Sequence, residues 1–226
     1  MTGLEIRRQT MNTPHAPRFS TAIRIASLGL FAWTAGCNVL PPPTEDSTRY
    51  FLLSERAAAN EGGRVAGSGG LRIGLKPVMM AGYLKNREIV VRRGANEISF
   101  RDNARWAEPL DSSIARLIRG ALLKAPSVGD VLVPPFPLEG ERDYDVDVQV
   151  LRCEGSTAAA GGGVASFSAI VDIKTAGAVP RTVVHHVFTA PETAWNGRDY
   201  GQLAGLLSDS VAQLAGDVAA SIPEKK

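Results

Sequence analysis

Residues 143–150 read Asp-Tyr-Asp-Val-Asp-Val-Gln-Val, so that apolar side chains alternate with acidic or amide side chains. Residues 165–173 repeat this period of two, with apolar or small residues at every second position: Ala165, Phe167, Ala169, Val171 and Ile173. The period is typical of strands in an antiparallel sheet with one buried face. Residues 182–189 predict a third strand, and the small residues at 155–163 predict a loop between the first two.

Further strands are predicted upstream of this region. Residues 49–53 (Arg-Tyr-Phe-Leu-Leu) and 71–75 (Leu-Arg-Ile-Gly-Leu) predict one strand each, and the Ala- and Gly-rich residues 55–70 predict a loop. Residues 88–92 and 97–101 predict a hairpin, because Gly94-Ala95-Asn96 between them contains residues that tolerate positive φ.

Two helices complete the expected domain. One is predicted from Pro109 to Lys124, because proline suits the first turn and apolar residues recur on one face. The other begins near Asp199, whose carboxylate is placed to cap it. Together these elements predict an α+β fold, with a mainly antiparallel sheet and two helices packed on one face of a single domain.

The N-terminus has the features of an export signal. Four arginines precede an uncharged run at residues 25–35, which is too short to span a bilayer and matches a signal-peptide core. The run ends in Thr34-Ala35-Gly36-Cys37 and resembles a bacterial lipobox, with Cys37 as the lipidated first residue of the mature chain. The alternative is an ordinary secretory signal with an incidental cysteine. Either Met1 or Met11 can serve as the start, because the segment from Met11 to Cys37 still contains two of the arginines, the uncharged run and the cysteine.

This interpretation divides the chain into a signal peptide at 1–36, a lipidated proline-rich tether at 37–47 and one domain at 48–226. Removing the signal takes away four basic residues and one acidic residue, which leaves 21 basic and 22 acidic residues and a net charge of −1. The slight positive charge of the precursor therefore gives no reason to expect a nucleic-acid partner. With Cys37 carrying lipid, Cys153 has no partner within the chain and is expected to be a buried thiol.

The sequence carries no motif of a known reaction or metal site. It has neither a phosphate-binding G-x-x-x-x-G-K-[ST] loop nor the G-x-S-x-G turn of a serine hydrolase, so we do not expect an enzyme. His185 and His186 are neighbours on a strand and point to opposite faces, which does not suit one metal ion. Asp143, Asp145 and Asp147 share a face; they are either a solvated acidic face or ligands for Ca²⁺, and we favour the first.

One long segment resembles a known family. Residues 82–92 read Gly-Tyr-Leu-Lys-Asn-Arg-Glu-Ile-Val-Val-Arg, residues 96–100 read Asn-Glu-Ile-Ser-Phe, and residues 102–110 read Asp-Asn-Ala-Arg-Trp-Ala-Glu-Pro-Leu. This signature segment, residues 82–110, resembles the ABC-type transport auxiliary lipoproteins, which include the paraquat-inducible protein C-like lipoproteins. Gly82 stands where that family usually has proline. A looser resemblance extends from Arg49 to the last helix.

The resemblance implies a lipid-anchored, periplasm-facing subunit of an intermembrane lipid-transport system, with no cofactor beyond the covalent lipid on Cys37. Its implied partners are an MCE-domain protein and inner-membrane transporter components, docked at the outer membrane. The residue after Cys37 is asparagine and not aspartate, which favours the outer over the inner membrane. A ring-like homo-oligomer is compatible with such a role. The alternative function is a stand-alone envelope lipoprotein that binds a lipid or another small ligand.

The signature segment also supplies candidate partner-docking residues: Tyr83, Arg87, Arg92, Asn96, Arg105, Trp106 and Glu108. Tryptophan and arginine are common anchors at interfaces. For Trp106 the alternative is a core residue at the helix entrance, with Glu108 near the positive helix start, and we favour that interpretation. For the arginines around the hairpin, the alternative is a solvated strand face paired with neighbouring acidic residues.

Overall fold

A computed structural model describes residues 45–55, 70–137, 141–157 and 162–223. The chain divides into two compact units, residues 1–46 and residues 47–226, and nearly all described residues belong to the second. The predicted signal peptide, Cys37, most of the tether and residues 56–69 of the predicted loop lie outside the described residues. The boundaries of the signal and tether therefore stay predictions.

Three long antiparallel strands form one side of the sheet, with the first of them at its centre. They are β7 (Tyr144–Thr157), β8 (Gly163–Thr175) and β9 (Thr182–Thr189). Val146, Val148 and Val150 of β7 are buried, and the polar residues between them face the other side. The alternation therefore predicted both the strands and the buried face. A short strand, β10 (Thr193–Trp195), pairs with the first residues of β8.

The other edge of β7 is shared by three shorter strands, which all run parallel to it. They are β2 (Leu71–Leu75), β3 (Met79–Met80) and β4 (Glu88–Arg93). β6 (Val128–Leu132) pairs in parallel with β2, β5 (Glu97–Trp106) pairs antiparallel with β4, and β1 (Arg49–Phe51) pairs in parallel with β5. The sheet is thus mixed, with its longest pairings antiparallel.

Two helices pack against the sheet and against each other. Helix α1 (Leu110–Lys124) and helix α2 (Tyr200–Ala220) each turn an apolar face towards the core. Asp199 caps α2 as predicted, since its carboxylate accepts the Gly201 and Gln202 N–H groups. Pro109 lies one position before α1 and not within its first turn. The α+β prediction, with two helices and a single domain, is confirmed.

The loop predicted at 155–163 is wrong at both ends. β7 continues through Thr157 and β8 begins at Gly163, while residues 158–161 lie outside the described part of the chain. Gly155 has a packing role instead: a Cβ there would lie 2.9 Å from Leu203 Cδ2 and 3.0 Å from the Trp195 ring. The small residue lets α2 and β10 approach the strand closely, which composition alone cannot distinguish from a loop.

Among the described residues, no helix combines the length and the apolar character that a membrane span requires.

Candidate docking surface

The signature segment begins with a short 3-10 turn, Gly82–Leu84, that is fixed to β7. The Ala81 N–H donates to the Val150 carbonyl at 3.0 Å, and the Tyr83 hydroxyl donates to the Leu151 carbonyl at 3.1 Å. The Leu84 side chain is buried in the core. Glycine at position 82 is thus compatible with a turn where the family usually has proline.

Arg92 and Tyr83 enclose a buried carboxylate. Glu154 of β7 has no exposed surface, and Arg92 donates to both of its oxygens, from Nε at 2.6 Å and from Nη2 at 3.2 Å. Arg152 Nε donates to the same group at 3.1 Å. The Arg92 guanidinium also lies 5.8 Å from the centre of the Tyr83 ring. Signature residues that are nine positions apart therefore meet at one acidic residue outside the segment.

The electrostatics of this Glu154 cluster follow from its burial and hydrogen bonds. Burial alone would raise the pKa of Glu154, but the hydrogen bonds from Arg92 and Arg152 and the positive charge of Arg92 outweigh it and hold the pKa below its usual range. Burial, and then the neighbouring Glu154 carboxylate, raises the pKa of Tyr83 to about 12. Glu154 is therefore charged at neutral pH and Tyr83 is not, which suits a structural cluster that fixes the hairpin to the sheet.

Trp106 and Glu108 form the entrance to α1. The Trp106 side chain is only 2% exposed, so it belongs to the core, which is the interpretation favoured from the sequence. Glu108 Oε1 accepts the Ser113 hydroxyl at 2.6 Å and Arg116 Nη2 at 2.7 Å. These hydrogen bonds hold the pKa of Glu108 below its usual range. Arg116 also donates to the Leu53 carbonyl at 3.0 Å, which ties the segment after β1 to the helix.

Of the seven predicted docking residues, Arg87 and Asn96 are exposed, Trp106 is buried, and the other four are partly exposed. The Arg87 carbonyl accepts the Trp106 N–H at 2.7 Å, and Arg105 pairs across the hairpin with Glu88, the residue after Arg87. The backbones of Arg87 and Arg105 therefore lie close together at this end of the hairpin, and we call these two residues, the first exposed and the second partly exposed, the arginine pair. Asn96 is exposed in the hairpin turn at the other end of β4, about 20 Å away by the rise of six strand residues.

The two ends of the signature segment line one cleft. Its volume is about 380 Å³, and most of its wall is apolar. One side comes from β3 and the 3-10 turn, and the other from the start of α1. The apolar residues of the wall include Val78, Met79, Met80, Leu84, Pro109 and Leu110. Residues 84 and 110 are thus brought together only in the folded chain.

Two functional partners were not predicted from the sequence: Glu154, which accepts the hydrogen bonds of Arg92, and Arg116, which pairs with Glu108. Glu154 follows a register shift in β7 between Val150 and Arg152, so its position in the alternation gives no warning that it is buried. Arg116 lies eight residues after Glu108. The one sign in the sequence that Arg116 is available for an ion pair was its position away from the apolar face of α1. Neither pairing could be assigned without the tertiary contacts.

The other polar groups singled out in the sequence have partners in the structure. Asp145 accepts from Arg142 Nε at 2.7 Å, Asp147 accepts from two lysines, and Asp143 accepts the Arg72 N–H. His185 Nδ1 lies 2.7 Å from Asp172 on one face, and His186 Nε2 lies 2.6 Å from Asp217 of α2 on the other. Within the described ranges, no group of three or more His, Cys, Asp or Glu side chains is placed to hold a metal ion.

Cys153 is buried in the core. Burial, and then the nearby charge of Glu154, raises the pKa of its thiol to about 12. A thiol with this pKa carries almost no thiolate at neutral pH and is unreactive.

Comparisons with known proteins give one family and several solved structures. Residues 51–219 match the profile of the family described as the ABC-type transport auxiliary lipoprotein component. That description is of a lipoprotein that assists ABC-type transport and not of a class of enzymes. No curated protein matches the chain.

Two of the matching solved structures share the fold. A Xanthomonas campestris protein of the DUF330 family gives a TM-score of 0.63 at 16% identity, covering 76% of this chain and 93% of that one. An uncharacterized protein gives a TM-score of 0.50 at 18% identity, and the match covers 78% of this chain and 99% of that one. A PelC dodecamer from Paraburkholderia phytofirmans gives a TM-score of 0.40 at 16% identity, and the match covers 73% of this chain and 96% of that one. The first two likenesses show a common fold, and the third supports no inference.

Proposed function

We propose that this chain, which belongs to the family of ABC-type transport auxiliary lipoprotein components, is the lipid-anchored periplasmic subunit of an MCE-type intermembrane phospholipid transport system. In this role it docks the transport machinery at the outer membrane and supports the integrity of the envelope. The observation that carries the proposal is the family match over residues 51–219, which includes the whole signature segment.

The proposed anchor is Cys37, followed by the proline-rich residues 38–47. Each buried CH₂ of an acyl chain contributes about 0.8 kcal/mol to membrane binding, so a cysteine with several chains would be stably anchored. A short proline-rich tether is semi-rigid and keeps the domain at a limited distance from the bilayer. The domain would then meet its partner at a raised effective concentration.

The proposed docking residues are the exposed members of the signature segment, above all the arginine pair. Trp106, Glu108 and the Glu154 cluster form the frame that positions them: Trp106 holds the backbone of Arg87, and Arg105 Nη2 lies 3.8 Å from Glu88. The two arginines contribute positive charge, which Glu88 beside Arg105 offsets in part. Such a patch fits an acidic surface on the MCE-domain protein or on an inner-membrane component, and it would mainly speed association.

The test is co-purification of the full chain with the MCE-domain protein from envelope extracts. Arg87→Glu and Arg105→Glu together are expected to reduce the captured MCE-domain protein at least tenfold. Arg119→Glu, an exposed arginine on α1, is the matched control and should capture as much as the wild type. Equal capture by all variants would refute the docking role of the arginine pair.

A second experiment addresses the anchor. Cys37→Ala is expected to abolish metabolic labelling with palmitate and to release the domain from the outer-membrane fraction into the periplasm. Labelling that persists in this variant would exclude Cys37 as the lipid site. The mass of the complex purified from the outer membrane would show whether the subunit is a homo-oligomer.

The cleft between the ends of the signature segment favours one alternative, a stand-alone envelope lipoprotein that binds a lipid or another small ligand. Pockets for small molecules are mainly apolar and usually about 300–1,000 Å³ in volume. Native mass spectrometry of the purified protein separates the two functions, because bound lipid without any captured transport component would favour the alternative.

A further inference from the structure

The cleft at the ends of the signature segment has the character of a binding site for one alkyl chain. It has a volume of about 380 Å³, and two adjacent methionines contribute to its wall. Met79 is 60% exposed, although methionine in a soluble domain usually fills gaps in the core. Unbranched, polarisable side chains adapt to a ligand without a fixed shape. The wall therefore suits a flexible chain better than a rigid ring system.

The rim of the cleft carries one charge of each sign. Lys85 stands at the 3-10 turn and Asp111 at the start of α1, and both are exposed. No ion pair joins Lys85 to any residue in the described part of the chain. The carboxylate of Asp111 accepts the Ser112 N–H at 2.8 Å, which leaves its second oxygen available. A head group that is both anionic and cationic is complementary to this rim.

From these features we infer that the cleft binds a single-chain zwitterionic phospholipid, with its acyl chain against the Met79 wall, its phosphate at Lys85 and its ammonium at Asp111. The inference rests on the proposed function, because a subunit of a phospholipid transport system is the kind of protein that would meet such a ligand. It deepens that function by giving the domain itself a lipid contact. A two-chain lipid would leave its second chain outside the cleft.

The experiment uses the full chain in isolated envelopes and a lysophosphatidylethanolamine whose acyl chain carries a diazirine. After irradiation, labelled peptides are mapped by mass spectrometry. Label is expected on residues 77–85 and 109–111. Met79→Asp should reduce this label at least fivefold, because a carboxylate then lies on the apolar wall. Val187→Asp is the matched control: Val187 is 58% exposed on β9, away from the cleft, and its replacement should leave the label unchanged.

A second probe separates the chain from the head group. Lys85→Glu is expected to reduce labelling by the lysophospholipid at least fivefold while labelling by a monoacylglycerol with the same diazirine chain changes less than twofold. Equal loss for both probes would overturn the head-group assignment. Label spread over the surface, or label unaffected by Met79→Asp, would overturn the site itself.

Co-purification of the MCE-domain protein is measured on the same variants. If the cleft takes no label while capture still depends on the arginine pair, the lipid contact is refuted and the proposed function stands. If the cleft is labelled and no transport component is captured by any variant, the proposed function fails and the lipid contact stands.

Discussion

Replacing Arg92 with methionine is expected to destabilise the protein by about 2–3 kcal/mol. The magnitude follows from Glu154, which is 0% exposed and receives two hydrogen bonds from Arg92, at 2.6 and 3.2 Å. Breaking a buried pair typically costs about 3–5 kcal/mol, because the remaining charge is left uncompensated. The loss is smaller here, since the Arg92 side chain is 23% exposed and Arg152 still donates to Glu154 at 3.1 Å.

The assay is urea unfolding followed by circular dichroism, with two further variants. Replacing both partners, Arg92→Met with Glu154→Met, removes the buried charge together with its partner and should return stability to within about 1 kcal/mol of the wild type. Arg93→Met is the matched control on the next residue of β4. The Arg93 side chain is 50% exposed and lies 3.8 Å from Glu97, so the Arg93→Met variant should lose less than about 0.5 kcal/mol of unfolding free energy.

The pH dependence gives an independent check. The folded state holds the pKa of Glu154 below its ordinary value of 4.5, so near and below that value the unfolded chain binds more protons. The stabilisation is therefore complete above pH 4.5 and is lost as the pH falls through the folded pKa. The difference in unfolding free energy between the wild type and Arg92→Met should therefore shrink in that acid range. The reasoning would be refuted if the double variant were less stable than Arg92→Met. It would also be refuted if Arg93→Met lost as much unfolding free energy as Arg92→Met.

Three further predictions concern the frame and the core. Glu108→Gln should cost about 1 kcal/mol at pH 7, because the charge-assisted bonds from Ser113 and Arg116 weaken. The difference in urea midpoint should shrink below pH 4.5 and vanish as the pH falls through the lower pKa of the folded state. Trp106→Ala should cost about 3–5 kcal/mol in the same assay, because it empties a core position. Cys153, with a pKa of about 12, should react with a thiol reagent at pH 8 only after unfolding in urea.

Each of these has a contrary outcome. A Glu108→Gln effect that is equally large at pH 3 and pH 7 would mean that the carboxylate charge is not what stabilises the helix entrance. A Trp106→Ala variant as stable as the wild type would contradict its place in the core. Rapid labelling of Cys153 in the native protein would contradict its burial, provided that the other cysteine of the chain is replaced.

The signature segment serves two purposes in the structure. Its buried or bonded members, Tyr83, Arg92, Trp106 and Glu108, fix the 3-10 turn, the hairpin and the start of α1 to the rest of the domain. Its exposed members are then held at defined positions on this frame. Variants of the first group are expected to act through stability, whereas Arg87→Glu is expected to act on binding. Arg105→Glu also places a second carboxylate beside Glu88, so its unfolding free energy is measured together with its binding.

The sequence by itself determined the local structure. Alternation at 143–150 and 165–173 predicted two central strands and their buried face, and Asp199 predicted the start of α2, because periodicity and capping depend on neighbours within a few residues. Tertiary structure alone decided that three strands share one edge of β7, that Arg92 meets Glu154, and that Leu84 meets Leu110 in one cleft. The pattern along a strand fixes which side chains are buried, whereas its neighbour in the sheet depends on packing between distant segments.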